Sequence, residues 1–220
     1  NFHGSRLPID GGGGSFSWRI MKNDRINSIT LHLVTEKIDK GPIIISNQTL
    51  FPAYCKIPLD FKKFYDEKLI EEYSKFIKNL KKGKKFKLNY QSNYLSSYYP
   101  RLNSKKDSWI DWSMNPQELE SFINAFDDPY YGSQTTINNK KVIIKKVQLH
   151  RGENISHDFM KGLIIRNDKK WLLVSLDEKN YIIIEQVFDN KGKLITDKLR
   201  RGSRFYTPKK FLENRFKKKI

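Results

Sequence analysis

A single cysteine, Cys55, stands in 220 residues, so no intrachain disulfide and no cysteine-based metal cluster can form. A reducing, cytoplasmic setting fits that usage. With no histidine near it in sequence, Cys55 reads as a small buried apolar residue rather than a nucleophile. Long hydrophobic runs are also missing: nothing approaches the roughly 18 apolar residues that a membrane span needs, and no signal peptide is visible. Acidic residues are outnumbered, with 24 Asp and Glu against 42 Lys and Arg and a net charge of +18. That balance favours a polyanionic partner, although the excess of Lys over Arg beside abundant Ile and Asn makes genome composition a competing explanation. The four histidines, His3, His32, His150 and His157, show no ligand spacing, so no metal site is expected. Phosphate-binding fingerprints are absent too. Gly11 to Gly14 lacks the strand that should precede Gly-x-Gly-x-x-Gly and the Lys-Ser/Thr of a P-loop, and reads as a flexible connector.

What is present follows two periods. Phe16, Trp18, Ile20 and Met21 suggest a short helix anchored by Trp18. From Ile29 to Thr35 apolar and polar residues alternate as in a half-buried strand, with Leu31 and Leu33 on one face and His32 on the other. His32 therefore reads as a surface or supporting histidine rather than a catalyst. A second strand is expected over Pro42 to Ser46, which places Asp39 in a short loop between two strands, where a carboxylate is easily presented. Residues 58–82 carry Phe61, Tyr65, Leu69 and Tyr73, joined by Ile70, Ile77 and Leu80, at the spacing of one buried helix face. Gly83 stops that helix, and the basic stretch from Lys81 to Lys87 reads as a solvated helix end.

Residues 91–107 show little periodicity and are expected to be a linker. Beyond it, Asn115 and Pro116 are placed to cap and open a helix whose apolar face is Leu119, Phe122, Ile123 and Phe126. Short alternating segments then recur at Gln134 to Ile137, Val142 to Leu149, Gly162 to Arg166, Trp171 to Leu176 and Tyr181 to Phe188, a spacing that suggests a small barrel. The tail from Pro208 to Ile220 is expected to be a basic terminal helix.

Several of these stretches occur together in one known family. Asn1-Phe-His3-Gly-Ser5-Arg-Leu7-Pro8, then Gly12, Trp18, Ile20 and Thr30, then Ile38-Asp39-Lys-Gly41-Pro-Ile-Ile resemble the second half of the catalytic domain of 10-formyltetrahydrofolate-dependent formyltransferases. Gln91, Tyr98-Tyr-Pro-Arg-Leu, Ile110-Asp-Trp112-Ser and Phe122-Ile-Asn-Ala-Phe-Asp-Asp-Pro resemble the linker and C-terminal domain of the members that formylate methionyl-tRNA. Gly202-Ser-Arg-Phe-Tyr-Thr-Pro resembles the ending of members that formylate nucleotide-linked amino sugars. The chain departs from the pattern at Lys37, where members usually carry Gly, and at Gly11, where an Arg is common.

The resemblance implies an α/β, partial Rossmann-like formyltransferase catalytic region followed by a small all-β, OB-like barrel domain. Its domains would be residues 1–90 for the downstream half of the catalytic domain, 91–108 for the linker, and 109–220 for the barrel with a basic terminal helix. A preceding half-domain is expected on the parent protein, since the chain begins with Asn rather than Met and the resemblance lacks the upstream strands. Taken alone, residues 1 to about 90 are expected to form an incomplete open sheet. The implied co-substrate is 10-formyltetrahydrofolate, held by the loop Glu36, Lys37, Ile38 and Asp39, with no metal and no membrane partner. The acceptor would be methionyl-tRNA or, alternatively, a nucleotide-linked amino sugar; a non-catalytic, basic RNA-binding fragment is the remaining possibility.

The residues fit that chemistry. When an amine attacks a formyl carbon, the site needs a hydrogen-bond donor for the developing oxyanion and a group that removes the amine proton. Asn1 offers the amide donor, His3 lies on the same face of an extended segment and titrates near neutrality, and Asp39 can orient or charge His3 or accept a proton through water.

Overall fold

The computed structural model describes residues 1–152 and 156–213. They form two units, one of residues 1–19 and 23–102, the other of residues 20–22 and the chain from 103 onward. Among the described residues no helix is long and apolar enough to cross a membrane.

The first unit is built on a three-stranded antiparallel sheet. Its strands β1 (Phe2–His3), β3 (Ile26–His32) and β4 (Ile43–Leu50) run in the order β1-β3-β4. Between them in sequence lie β2 (Gly11–Gly12) and the short helix α1 (Ser15–Met21). The central strand β3 is buried on both faces from Asn27 to His32, so the half-exposed alternation expected from sequence is not realised. Its even-numbered face is covered by the segment after β1, where the Thr30 hydroxyl donates to the Ser5 carbonyl at 2.8 Å. The pairing slips between Leu31, opposite Ile45, and His32, opposite Ile43. One extra residue, Ile44, is thereby taken up by β4. Past this bulge Leu33 is 42 % exposed while His32 is 3 % exposed, the reverse of the expected arrangement.

Helix α2 (Pro58–Lys81) begins where Pro58 needs no hydrogen-bond partner for its nitrogen. The Asp60 carboxylate accepts from the backbone of Lys56 at 3.0 Å and Ile57 at 3.2 Å. Only Pro58 and Phe61 of this helix are buried; Phe61 packs on Phe51 with ring centroids 4.1 Å apart and the rings tilted by 34°. Ile70, Tyr73 and Leu80 are more than half exposed, while Tyr65, Leu69 and Ile77 are half-buried, so the expected apolar face is only partly covered among the described residues. Length explains part of this: 24 residues at about 1.5 Å each give a helix of roughly 36 Å, longer than an eight-residue strand of roughly 27 Å.

The glycine run is not a loose connector. Gly11 and Gly12 pair in parallel with β5 (Tyr98–Tyr99), and Trp18 donates to the Pro100 carbonyl at 2.8 Å. Gly12 has φ of +100°, and a Cβ there would lie 2.3 Å from the Tyr99 carbonyl oxygen. Only glycine fits this close approach of two backbones. Cys55 is buried with a free thiol.

In the second unit, α3 (Ser104–Asp107) and α4 (Pro116–Ala125) precede β6 (Ser133–Ile137), β7 (Lys140–Arg151), β8 (Ile164–Asn167), β9 (Leu172–Ser175), β10 (Asn180–Asp189), β11 (Phe205–Tyr206) and α5 (Lys209–Leu212). Asn115 caps α4 as expected, its side chain accepting from Glu118 N at 2.9 Å. The five expected strands all form, and β11, too short to show a period, is added. The sheet order is β11-β6-β7-β10-β9-β8. It curls until its two edges meet: Ile164 N donates to Ser203 O at 2.9 Å and Phe205 N to Gly162 O at 2.8 Å. Asn138 and Asn139, at φ of 49° and 61°, form the two-residue turn that joins β6 to β7. Inside the curl Leu119, Ile123, Ile144, Ile182 and Phe205 are buried, and Trp112 donates to the Thr135 hydroxyl at 2.9 Å. Of the terminal helix expected from Pro208 onward, Lys209–Leu212 is helical; residues 214–220 lie outside the described residues.

Candidate active site

Strand register assembles the site. His3 pairs with Thr30 and Phe2 with Leu31, and the next rung sets Asn1 opposite His32, whose N–H donates to the Asn1 carbonyl at 3.0 Å. Asn1, His3 and His32 therefore project from one sheet face, directly or diagonally opposed. Asp39 reaches the same place from the loop joining β3 to β4, where it adopts φ of 55°. Its Oδ1 lies 3.6 Å from His3 Nδ1 and 3.6 Å from His32 Nε2. The two imidazole rings are 6.2 Å apart, edge to face.

All three residues expected to act together are thus in one place, with a difference in pairing. The Asn1 amide meets His32 rather than His3, with Nδ2 3.1 Å from His32 Nε2. His32 Nδ1 is 2.8 Å from the Leu33 carbonyl. A carbonyl only accepts, so Nδ1 carries the proton. In the neutral ring Nε2 is then an acceptor, and the Asn1 NH2 donates to it. One amide proton is held there and the second remains to serve a developing negative charge. At His3 the orientation is complementary: Nδ1 faces Asp39 and Nε2 is left to take up a proton.

Burial pushes the His3 imidazole below its ordinary value of 6.5; Asp39 opposes this, while His32 and the Arg19 guanidinium push further down. His3 is therefore neutral, and able to accept a proton, at pH 7. Arg19 lies on α1 with its side chain 3 % exposed and Asp10 Oδ2 3.9 Å away, and none of its guanidinium nitrogens makes a hydrogen bond among the described residues. Asp10 is also held by Arg6, whose Nε donates to it at 2.7 Å, and Arg6 continues to Asp24. This charged cluster pins the segment that follows His3.

Around Asp39, the loop residues Val34 and Ile38 are 80 % and 86 % exposed, and Glu36 and Lys37 also face solvent. Sequence reasoning did not find Arg19, nor the site-facing position of His32. The pairing of Asn1 with His32 is non-local and leaves no periodic trace.

Residues 103–203 match the formyl transferase C-terminal domain family. The chain as a whole is similar to individual formyltransferases. The methionyl-tRNA formyltransferase of Methylacidiphilum infernorum is 26% identical over 214 residues, 93% of this chain and 63% of that one. Among solved structures, the N-formyltransferase from Helicobacter canadensis in complex with folinic acid and dTDP-3-aminofucose superposes with a TM-score of 0.64 at 23% identity, over 84% of this chain and 65% of that one. HypX from Aquifex aeolicus in complex with tetrahydrofolic acid gives 0.65 at 18%, over 88% of this chain and 32% of that one. The chain thus resembles both methionyl-tRNA and sugar formyltransferases and has a formyltransferase fold with its C-terminal domain. It spans less than two thirds of each of these relatives.

Proposed function

We propose that this chain carries the downstream half of a site that transfers a formyl group from 10-formyltetrahydrofolate to an amine, the acceptor being methionyl-tRNA, in the cytoplasm. The observation that carries the reading is the meeting of Asn1, His3 and His32 around Asp39 in a chain that resembles formyltransferases. Asn1, held by His32, donates its remaining amide proton to the oxygen that gains charge. His3 Nε2 takes the proton of the attacking amine, and Asp39 steadies the imidazolium that results. Leu33, Val34 and Ile38 expose apolar surface on the Asp39 loop, which suits a flat heteroaromatic co-substrate lying along Glu36 to Asp39. When bound, that co-substrate supplies the one-carbon unit; no residue of the mechanism requires a metal.

In this reading residues 1–90 are part of a Rossmann-like catalytic domain completed by a preceding half-domain of the parent protein. Residues 91–108 serve as linker and residues 109–220 as an OB-like barrel. The net charge of +18 suits a tRNA acceptor, whose binding would weaken steeply with salt. A nucleotide-linked amino sugar is the second reading, favoured by likeness to the Helicobacter canadensis enzyme and by the segments Gly11 to Gly14 and Gly202 to Pro208. The deciding experiment gives the chain, and its parent protein, 10-formyltetrahydrofolate with charged initiator tRNA or with dTDP-amino sugars. Formylmethionyl-tRNA is the expected product. Formylated sugar alone overturns the acceptor, and tRNA binding that survives His3→Ala, without transfer in either protein, overturns catalysis in favour of a basic RNA-binding fragment.

A further inference from the structure

Asp39 sits 3.6 Å from each imidazole, beyond hydrogen-bond length, so neither histidine fixes its position. The loop must do so. Asp39 has a left-handed backbone, which Asp tolerates but does not prefer. Gly41 is wedged against the opposite side of the loop, where a Cβ would lie 1.8 Å from the Leu33 carbonyl oxygen. What ties these two residues together is a side chain some fifty positions further on. Gln91 Nε2 donates to the Asp39 carbonyl at 2.8 Å and to the Gly41 carbonyl at 2.8 Å, using both protons of one amide. The base of this clamp is itself fixed to the sheet: Ile43 N donates to Asn89 O at 2.8 Å and Asn89 N to Ile43 O at 2.9 Å.

We propose that Gln91 is a positioning residue that sets the Asp39 carboxylate between His3 and His32. The inference rests on the formyl-transfer reading only for the chemical role of Asp39, and not for the geometry. A glutamate at 91 has no proton to donate when ionised and would oppose two carbonyl oxygens, and an asparagine is one methylene short. Among the described residues the buried Gln91 side-chain carbonyl oxygen has no hydrogen-bond partner, so the side chain is held there by its donor side.

The test uses the chain as it is and reads the imidazole titrations by NMR. The charged groups acting on His3 are Asp39 from the loop, His32 from β3 and Arg19 from α1; His32 and Arg19 stay unchanged in every variant. Because Asp39 raises the His3 midpoint, Asp39→Asn should lower it and so define the full effect. Gln91→Leu is expected to lower it in the same direction, and to add nothing in the Asp39→Asn background. An unchanged midpoint in folded Gln91→Leu, or an equal shift in both backgrounds, overturns the proposal. Should the variants not fold, hydrogen exchange of the Gln91 side-chain amide in the unaltered chain decides instead: protection supports the clamp and solvent-rate exchange overturns it. Absence of formyl transfer would count against the catalytic reading while leaving these titrations valid.

Discussion

Asn1 and His32 face each other across one rung of the β1–β3 ladder, amide nitrogen 3.1 Å from imidazole nitrogen. The Leu33 carbonyl accepts from the other imidazole nitrogen, so the neutral ring dictates which way the amide points. Under the proposed function, His32→Ala in the parent protein should therefore lower formyl transfer by roughly 10²-fold, near what losing one oxyanion donor costs. His3 should at the same time titrate higher, since His32 now pushes it down. Rate measurement and imidazole NMR on one variant check both.

Acid should weaken the first unit. His3 is depressed below its unfolded value of 6.5 by burial. A neutral folded imidazole therefore contributes stability that is present above that value and lost as pH falls through the lower folded midpoint. Denaturation curves at stepped pH should show the decline, and His3→Gln should flatten it.

Arg19→Met should not destabilise. The wild-type guanidinium is buried without a hydrogen bond, and replacing a poorly paired buried ion with an apolar side chain is often neutral or stabilising by about 1–4 kcal/mol. Asp10 keeps Arg6 as partner. Urea unfolding measures the change, and the His3 midpoint should rise because Arg19 lowers it.

Gly41→Ala should disrupt the Asp39 loop, because the clashing atom is the backbone oxygen of Leu33 and cannot swing away. Faster hydrogen exchange over residues 33–42 is the expected outcome.

In the second unit, Asp127 accepts from Lys146 N at 2.7 Å and Asp128 N at 2.6 Å. Burial nevertheless holds its carboxyl above the usual range. Asp127→Ala strands both donors and should cost about 1–3 kcal/mol. Asp127→Asn, which keeps an acceptor oxygen and removes the charge, should cost less in the same thermal or urea melts.

Local signals were legible where one short stretch carried them. The cap at Asn115, the period-two strands of the curled sheet and the loop position of Asp39 follow from neighbouring residues. Helix α2 was found from its spacing, yet its apolar face was expected to be buried and is only partly covered, with Ile70, Tyr73 and Leu80 exposed, because spacing says which residues share a face and not what lies against it. Gly11 to Gly14 looked like a connector for a related reason. The backbone of Tyr98 and Tyr99, which makes glycine necessary there, is almost ninety positions away.

The sequence by itself determined the candidate chemistry: an amide, an imidazole and a carboxylate at Asn1, His3 and Asp39, on extended and loop segments able to present them. Only the tertiary structure decided that His32 completes the group, that Arg19 lies buried within its electrostatic reach, and that Gln91 holds the carboxylate's loop. Each depends on strand register or a long-range hydrogen bond, and such non-local pairings leave no periodicity in the chain.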